Sequence, residues 1–330
     1  MGYIVSRALS LFQSGGMTGV GPGLLIFLGG CCVYYVLVQR KLDRPISLGG
    51  LFGFVLPMEG VRSPSFRIDL FFYVVAKLTH HLLLIGHIAL AVLVSHGLGE
   101  ALAGQFDSPS LAPTPAIVAL AGVLVFVPRD LAHYWTHRLH HKIPILWEFH
   151  KVHHAATYLT PLTTERTHPL EDQIFSLVEG LAMGVALGLL RWRYAFSDVQ
   201  IGVIAATVIW AMRMLTLTPL QHSSVPLHFG PLDRVFYSPS LHQVHHSARQ
   251  EHWDRNFGEC LSIWDSLFGS YCAHGQSTPL LGLPQGEHRR YQTLLGCYFR
   301  PFGQAWRRIS PAWAQAASMR KHAATSHSQI

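Results

Sequence analysis

Histidine is where this chain concentrates its chemistry. It carries 22 of them, and two copies of H-x-x-H-H stand out: His150/His153/His154 and His242/His245/His246. A denser group, His133/His137/His140/His141, precedes the first copy. Imidazole ligates iron, copper, nickel and zinc, and neutral histidine is the commonest protein metal ligand. Positions i, i+3 and i+4 share one face of a helix, so each H-x-x-H-H is expected to aim three nitrogens at one spot. Two triads and a helical pair make about eight nitrogen donors, more than one ion takes, and predict a two-metal centre. In the first group, His133/His137 and His137/His141 are both i, i+4 pairs and His140 is i+3 from His137, so spacing alone leaves the pair open. Isolated histidines such as His80, His81, His87, His96, His274 and His288 are read as ordinary core or surface residues, with a polar role possible for the three in an apolar run.

The elements that hold these residues must sit in a bilayer. Of 330 residues, 49% are hydrophobic and only 13% charged, against about 25% charged in soluble domains. Residues 8–39, 78–99 and 108–128 are free of charged side chains, and Gly23 to Val38 is the core of the first stretch. A spanning helix needs about 20 apolar residues, so these predict three spans. Ile174–Leu190 and Val199–Leu217 are weaker segments, with Arg191 and Arg193 between them. If both triads serve one site, an even number of crossings separates them, which that pair supplies as a hairpin. Arg40, Lys41, Arg44, Arg62 and Arg67 follow the first span, and Arg129, Arg138, Lys142 and Lys151 lie around the histidines. The positive-inside rule then puts the first histidine group on the cytoplasmic side. From about 218 the chain is polar and reads as a cytoplasmic cap. Arg289, Arg290, Arg300, Arg307, Arg308, Arg320 and Lys321, near Trp306 and Trp313, predict a helix on an anionic membrane surface. The fold class expected is an all-α integral membrane protein, a transmembrane bundle whose helical cap holds the metals. The expected divisions are 1–64 (first span and basic loop), 65–275 (catalytic) and 276–330 (basic surface segment and tail). The five cysteines form no C-x-x-C and suggest neither a thiolate zinc site nor a disulfide framework. The net charge of +7 needs no nucleic-acid partner.

At this point the residues form a pattern. Asp130, Tyr134, Trp135, His137, Arg138 and His141, then Leu146, Trp147, His150, His153 and His154, resemble the fatty acid hydroxylase/sterol desaturase family, whose pattern runs D-x-x-x-Y-W-x-H-R-x-x-H and L-W-x-x-H-x-x-H-H. The resemblance continues through Arg166-Thr-His168-Pro169-Leu-Glu171, Gln221-His222-Ser223, Ser238-Pro239 up to His246, Asn256-Phe-Gly258 and Trp264-Asp265 to Gly269. It covers about residues 65–272. It implies His137 and His141 as the first ligand pair and adds His168 and His222 to the six triad histidines. Some relatives carry an H-x-x-x-H box before the last triad; here Thr218 stands four before His222, so one histidine of it remains. The resemblance also implies two Fe(II) ions, with zinc as a purification substitute, O2 as co-substrate and a lipid substrate: sterol or terpenoid, fatty acyl or sphingoid. No H-P-G-G signature of a fused cytochrome b5 occurs, so a separate ferredoxin or cytochrome b5 type donor with its reductase is expected. Either hydroxylation or desaturation fits, in a bacterial inner membrane or endoplasmic reticulum. Asp130, Glu165, Glu171 and Asp265 are candidates to accept the second N–H of ligand histidines, while Arg138 and Lys142 suit a phospholipid surface or an acidic donor. A zinc hydrolase is the alternative, disfavoured because no H-E-x-x-H occurs; a metal transporter is further off, since the triads fall outside the apolar runs.

Overall fold

The computed structural model describes residues 20–55, 57–106, 111–215, 217–223, 225–273 and 280–326. His274, and the side chains of His80, His81, Trp313, Arg320 and Lys321, lie outside what is described. The described chain is helical, with no strand and three isolated bridges. In chain order the helices are α1 (Val20–Lys41), α2 (Leu48–Val55), α3 (Met58–Arg62), α4 (Pro64–Gln105), α5 (Pro115–Lys142), α6 (Pro144–His154), α7 (Pro169–Arg193), α8 (Asp198–Leu215), α9 (Thr218–Gln221), α10 (Pro239–His245), α11 (Ile263–Leu267) and α12 (Leu294–Ser326).

Three stretches are long and apolar enough to cross a bilayer: Leu83–Gln105 of α4, all of α5 and all of α7. The ranking expected from sequence shifts on one point. α7 covers the segment read as weaker, because Arg191 and Arg193 lie at its end and leave the span intact. The apolar stretch of α8, Asp198–Met212, is shorter. α1 coincides with the first apolar run and ends on Arg40 and Lys41. The stretch expected from 108 starts its helix only at Pro115, where Thr114 Oγ1 accepts from Ile117 N and the proline sits at the first helical positions.

α4 has 42 residues, about 63 Å of helix, twice what the hydrocarbon core needs. Its second half packs along α7. Gly180, Gly184 and Gly188 of α7 let the two backbones approach; a Cβ at Gly184 would come within 2.6 Å of Val94. In the first half of α4, Ile68 and Phe72 pack with Val152, Ala155, Leu283, Tyr291 and Cys297 in a second core. The bundle's own core lies between α4, α5, α7 and α8, with Ala91, Val125, Met183, Leu187, Ile201 and Met212 at its centre.

α7 runs into α8 through a short turn at residues 194–197, and both pack on α4 and α5. The tip of the pair bonds to the start of α5, Leu111 N to Arg193 O at 3.2 Å and Ala195 N to Leu111 O at 2.8 Å. The tip is thus at the opposite end of α5 from His137 and His141. Arg191 is neutralised there by Asp198, Nη1–Oδ1 2.5 Å.

Two buried charged side chains fasten distant segments together. Asp130 of α5 accepts from Cys260 N (3.0 Å), Leu261 N (3.2 Å) and Trp264 Nε1 (2.8 Å). Arg166, with no exposed surface, donates to Val152 O, Ser65 Oγ, Asp69 Oδ1 and Tyr291 O. On α12 the basic residues do not all face outward: Arg308 reaches Glu148 of α6 at 2.6 Å. Leu295, Phe299, Phe302 and Trp306 form its exposed apolar stripe.

Candidate metal centre

α6 and α10, the two helices of the triads, both begin at a proline and end within the H-x-x-H-H. Each triad was expected to converge on one spot. Instead each divides. His137, His141, His150, His154 and His245 form one group, His153, His222, His242 and His246 another; within each group the ring nitrogens lie within 4.8 Å of one another. The reason is helical rotation of about 100° per residue. Positions i and i+4 are about 40° apart, while i+3 lies about 60° to the other side of i. The outer pair of each triad therefore enters one group and the middle histidine the other, so the triads interlock. The groups abut, with the His153 and His246 rings 4.5 Å apart and those of His154 and His246 4.7 Å apart.

Nine of the ten expected residues are thus brought together. His168 is not. It caps α7, its Nδ1 accepting from Leu170 N at 3.1 Å and its Nε2 facing Tyr298 O at 3.1 Å, so backbone groups take both ring nitrogens. His133 and His140 also stay out. His133 Nδ1 lies 2.8 Å from Glu179 Oε1, and His140 Nδ1 lies 2.8 Å from Thr136 O.

The outward-facing nitrogens decide what the inner ones are. A carbonyl oxygen can only accept, so an Nδ1 facing one carries the proton and leaves Nε2 a bare lone pair. This holds for His137 (Phe257 O, 3.0 Å), His153 (Arg166 O, 3.3 Å) and His245 (Arg255 O, 2.8 Å). His150 gives its Nδ1 proton to Glu171 Oε1 at 2.5 Å. Tyr237 donates its hydroxyl proton to Asn256 O, so its oxygen is the acceptor facing His242 Nδ1 at 3.5 Å. Thr164 Oγ1 lies 3.1 Å from His222 Nδ1.

The Nε2 atoms then crowd together, and those of His137 and His150, whose Nδ1 atoms both face acceptors, meet lone pair to lone pair. His137 and His150 are 3.2 Å apart, His150 and His154 3.1 Å, and His154 and His245 3.1 Å. In the other group, His222 lies 3.2 Å from His153, 2.8 Å from His242 and 3.2 Å from His246. Protons cannot relieve this crowding. Burial, reinforced for most of them by adjacent imidazoles, holds His150, His153, His154, His242 and His246 well below the ordinary 6.5, His222 at about 3 and His245 at about 4. A cation resolves it. Ligands about 2.0–2.1 Å from one ion are spaced about 2.9 Å at right angles and about 3.3 Å at tetrahedral angles, which is the spacing seen. The donor set fits two divalent metal ions, one held by five nitrogens and one by four.

Of the carboxylates expected to orient these rings, Glu171 does so. Asp265 acts one step removed, and Asp130 holds Cys260, Leu261 and Trp264 instead. Asp265 accepts from Phe257 N (2.8 Å), Gly258 N (2.9 Å) and Ser270 Oγ (2.7 Å), and so places the carbonyl that holds His137. Glu165 instead pairs with Lys77 at 3.6 Å. Arg138 and Lys142 are engaged within the chain, with Tyr134 and Phe268 O and with Asp254 respectively. The acceptors that sequence reasoning missed are backbone carbonyls, Thr164 and Tyr237. No side-chain pattern announces a carbonyl.

His137, His150, His153, His222 and His242 face a cavity of about 770 Å3, within the range of small-molecule sites. Its walls include Phe27, Phe54, Phe66, Leu84, Phe175 and Ile209, from α1, α2, α4, α7 and α8. The clustered imidazoles therefore line a largely apolar chamber between helices long and apolar enough to cross a bilayer.

Known proteins share this stretch. Over 158 residues the chain is 32% identical to ornithine lipid hydroxylase OlsE of Rhizobium tropici, covering 47% of this chain and 42% of the relative. It is 30% identical over 148 residues to alkylglycerol monooxygenase of Danio rerio, covering 45% and 30%. It is 28% identical over 144 residues to Delta(7)-sterol 5(6)-desaturase of Leptosphaeria maculans, covering 43% and 34%. The chain spans less than half the length of each of these curated relatives. No solved structure matches it. Residues 122–270, the stretch that carries all nine clustered histidines, match the fatty acid hydroxylase family model.

Proposed function

We propose that this protein is a membrane-bound di-iron oxygenase that inserts one atom of O2 into a C–H bond of a lipid. The observation that carries the reading is the crowding of Nε2 atoms along the largely apolar cavity. They call for two cations at the one place where a lipid chain and a ligand-rich polar surface meet. His137, His141, His150, His154 and His245 would hold one ion, and His153, His222, His242 and His246 the other; His168 is proposed as a helix cap. A pair of iron ions, once bound, would supply reduction of O2 and an oxidant for an unactivated C–H bond, which redox-inactive zinc cannot.

The chain's own residues do the rest. Phe257 O, Arg166 O, Arg255 O and Glu171 fix the tautomers and aim Nε2 inward. Phe175 and Ile209, with the helix packing around them, keep bulk water from the reacting carbon. Hydroxylation consumes one O2, two electrons and two protons per C–H bond and releases one water. A ferredoxin or cytochrome b5 type protein is the proposed electron source. Relatives catalyse both hydroxylation and desaturation by name; hydroxylation is favoured here because the two higher identities belong to a hydroxylase and a monooxygenase. The basic residues flanking the clusters, and their scarcity in the α4–α5 connection, support a cytoplasmic site, with residues 65–275 as the catalytic unit.

The test is a single turnover of iron-loaded protein in lipid nanodiscs under 18O2, with a chemical reductant. One 18O atom in a lipid product is expected, from protein holding two irons per chain. Product without 18O, or activity with zinc alone, would replace the oxygenase by a hydrolase.

A further inference from the structure

Deeper in the bundle than either histidine group, the same cavity ends on polar side chains that the reaction above does not use. Arg129 of α5 bonds Glu179 of α7, Nη2–Oε2 2.6 Å, and also Glu259. His133 lies 2.8 Å from Glu179 and 3.3 Å from Glu259, and His87 Nε2 of α4 lies 4.0 Å from Glu179. Arg129 precedes His137 by eight residues and Glu179 follows Glu171 by eight, about 12 Å along each helix. The His133 ring bridges the gap, 5.8 Å from that of His137.

Two features set this group apart from an ion pair that merely fastens helices. Arg129 and the His133 ring share two carboxylates, whose remaining lone pairs can still accept. Some donors around them are also unspent. His87 is 7% exposed and Arg129 is 7% exposed, yet His87 Nε2 and Arg129 Nε have no hydrogen-bond partner among the described residues, and neither has Trp210 Nε1. All three residues line the cavity. Buried polar groups are seldom left unpaired in native proteins.

We propose that this cluster is the subsite for the polar end of the substrate, and that it takes a hydroxyl entering the cavity first, which can donate to Glu179 or Glu259 and accept from the unpaired Arg129 Nε or Trp210 Nε1. The proposal rests on the lipid oxygenase reading and narrows its substrate class. A carboxylate or phosphate end would meet Glu179 and Glu259 with Arg129 already paired to both. The C–H bond presented to the metals then lies within about two helical turns of the polar end, not far along the tail.

The test is binding, independent of turnover. Four lipids of one chain, ending in hydroxyl, ammonium, methyl ether or carboxylate, are titrated into metal-loaded protein in nanodiscs, with Kd read from tryptophan fluorescence. The alcohol, which both donates and accepts, should bind at least tenfold tighter than the ether, amine and carboxylate. An amine bound as tightly as the alcohol would overturn the part given to the Arg129 and Trp210 donors. Glu259→Gln and His87→Leu, which leaves the Arg129 ion pairs intact, should each weaken the alcohol several-fold, with two metals retained. Binding within twofold across the series overturns the subsite and leaves the oxygenase standing. Failure of every lipid to bind overturns both.

Discussion

Replacing Glu171 with leucine should weaken one of the two metal ions and spare the other. Its carboxylate holds the Nδ1 proton of His150 at 2.5 Å, with both side chains buried. His150 belongs to the five-nitrogen group alone. Without the acceptor, the ring can rotate or adopt the tautomer that turns a proton toward the metal. Losses of this kind cost about 10–100-fold in metal affinity, or about 1.4–2.7 kcal/mol. Glu171→Gln keeps an acceptor oxygen and loses the charge. Charge-assisted hydrogen bonds are roughly twice as strong as neutral ones, so glutamine should retain about half the effect, a loss of about 3–10-fold. The assay is competition between metal-free protein and a chromophoric chelator, fitted to two sites. One wild-type site and one weakened site are expected, in the order wild type, glutamine, leucine. Equal weakening of both sites, or an unchanged leucine variant, would refute the division of each triad between two ions.

Three further outcomes follow from the same geometry. His153→Ala and His245→Ala delete nitrogens from opposite groups, so each should lower metal content from two toward one and abolish turnover, whereas His168→Ala should keep both metals and cost about 1 kcal/mol of stability as a lost helix cap, read by metal analysis and thermal melting. Asp130→Ala leaves one buried and two partly buried donors unpaired and should cost at least about 1 kcal/mol; an unchanged melting temperature would contradict its role in fastening residues 260–264 to α5. The metal-free protein should lose stability as pH falls below 6.5, because the unfolded chain takes up protons that the buried imidazoles refuse; the loss should continue to about 4 and about 3, where His245 and His222 titrate in the fold. Denaturant melts from pH 7.5 to 4 check this, and a flat profile would contradict the burial of neutral imidazoles.

Whatever depends on near neighbours was readable from the residues alone. Charge-free apolar runs long enough to span a bilayer marked most of the apolar part of α4 and the first half of α5, while α7 reads as a weaker segment. The i, i+3, i+4 spacing put the triads on helices. Glu179 was also within reach, as a carboxylate inside an apolar segment, a feature that marks function. The rest depends on contacts between residues far apart in the chain. Spacing could not show that His153 parts from His150 and His154, because which group a ring joins depends on where α10 and His222 lie opposite it. Nor could it find the acceptors at Phe257, Arg166 and Arg255, since every residue has a carbonyl and only tertiary packing decides which ones face an imidazole. His168 shows the same limit: its motif resembles the family pattern, but the start of α7 and the carbonyl of Tyr298 take both its nitrogens, the latter a contact 130 residues apart in the chain that no local pattern contains.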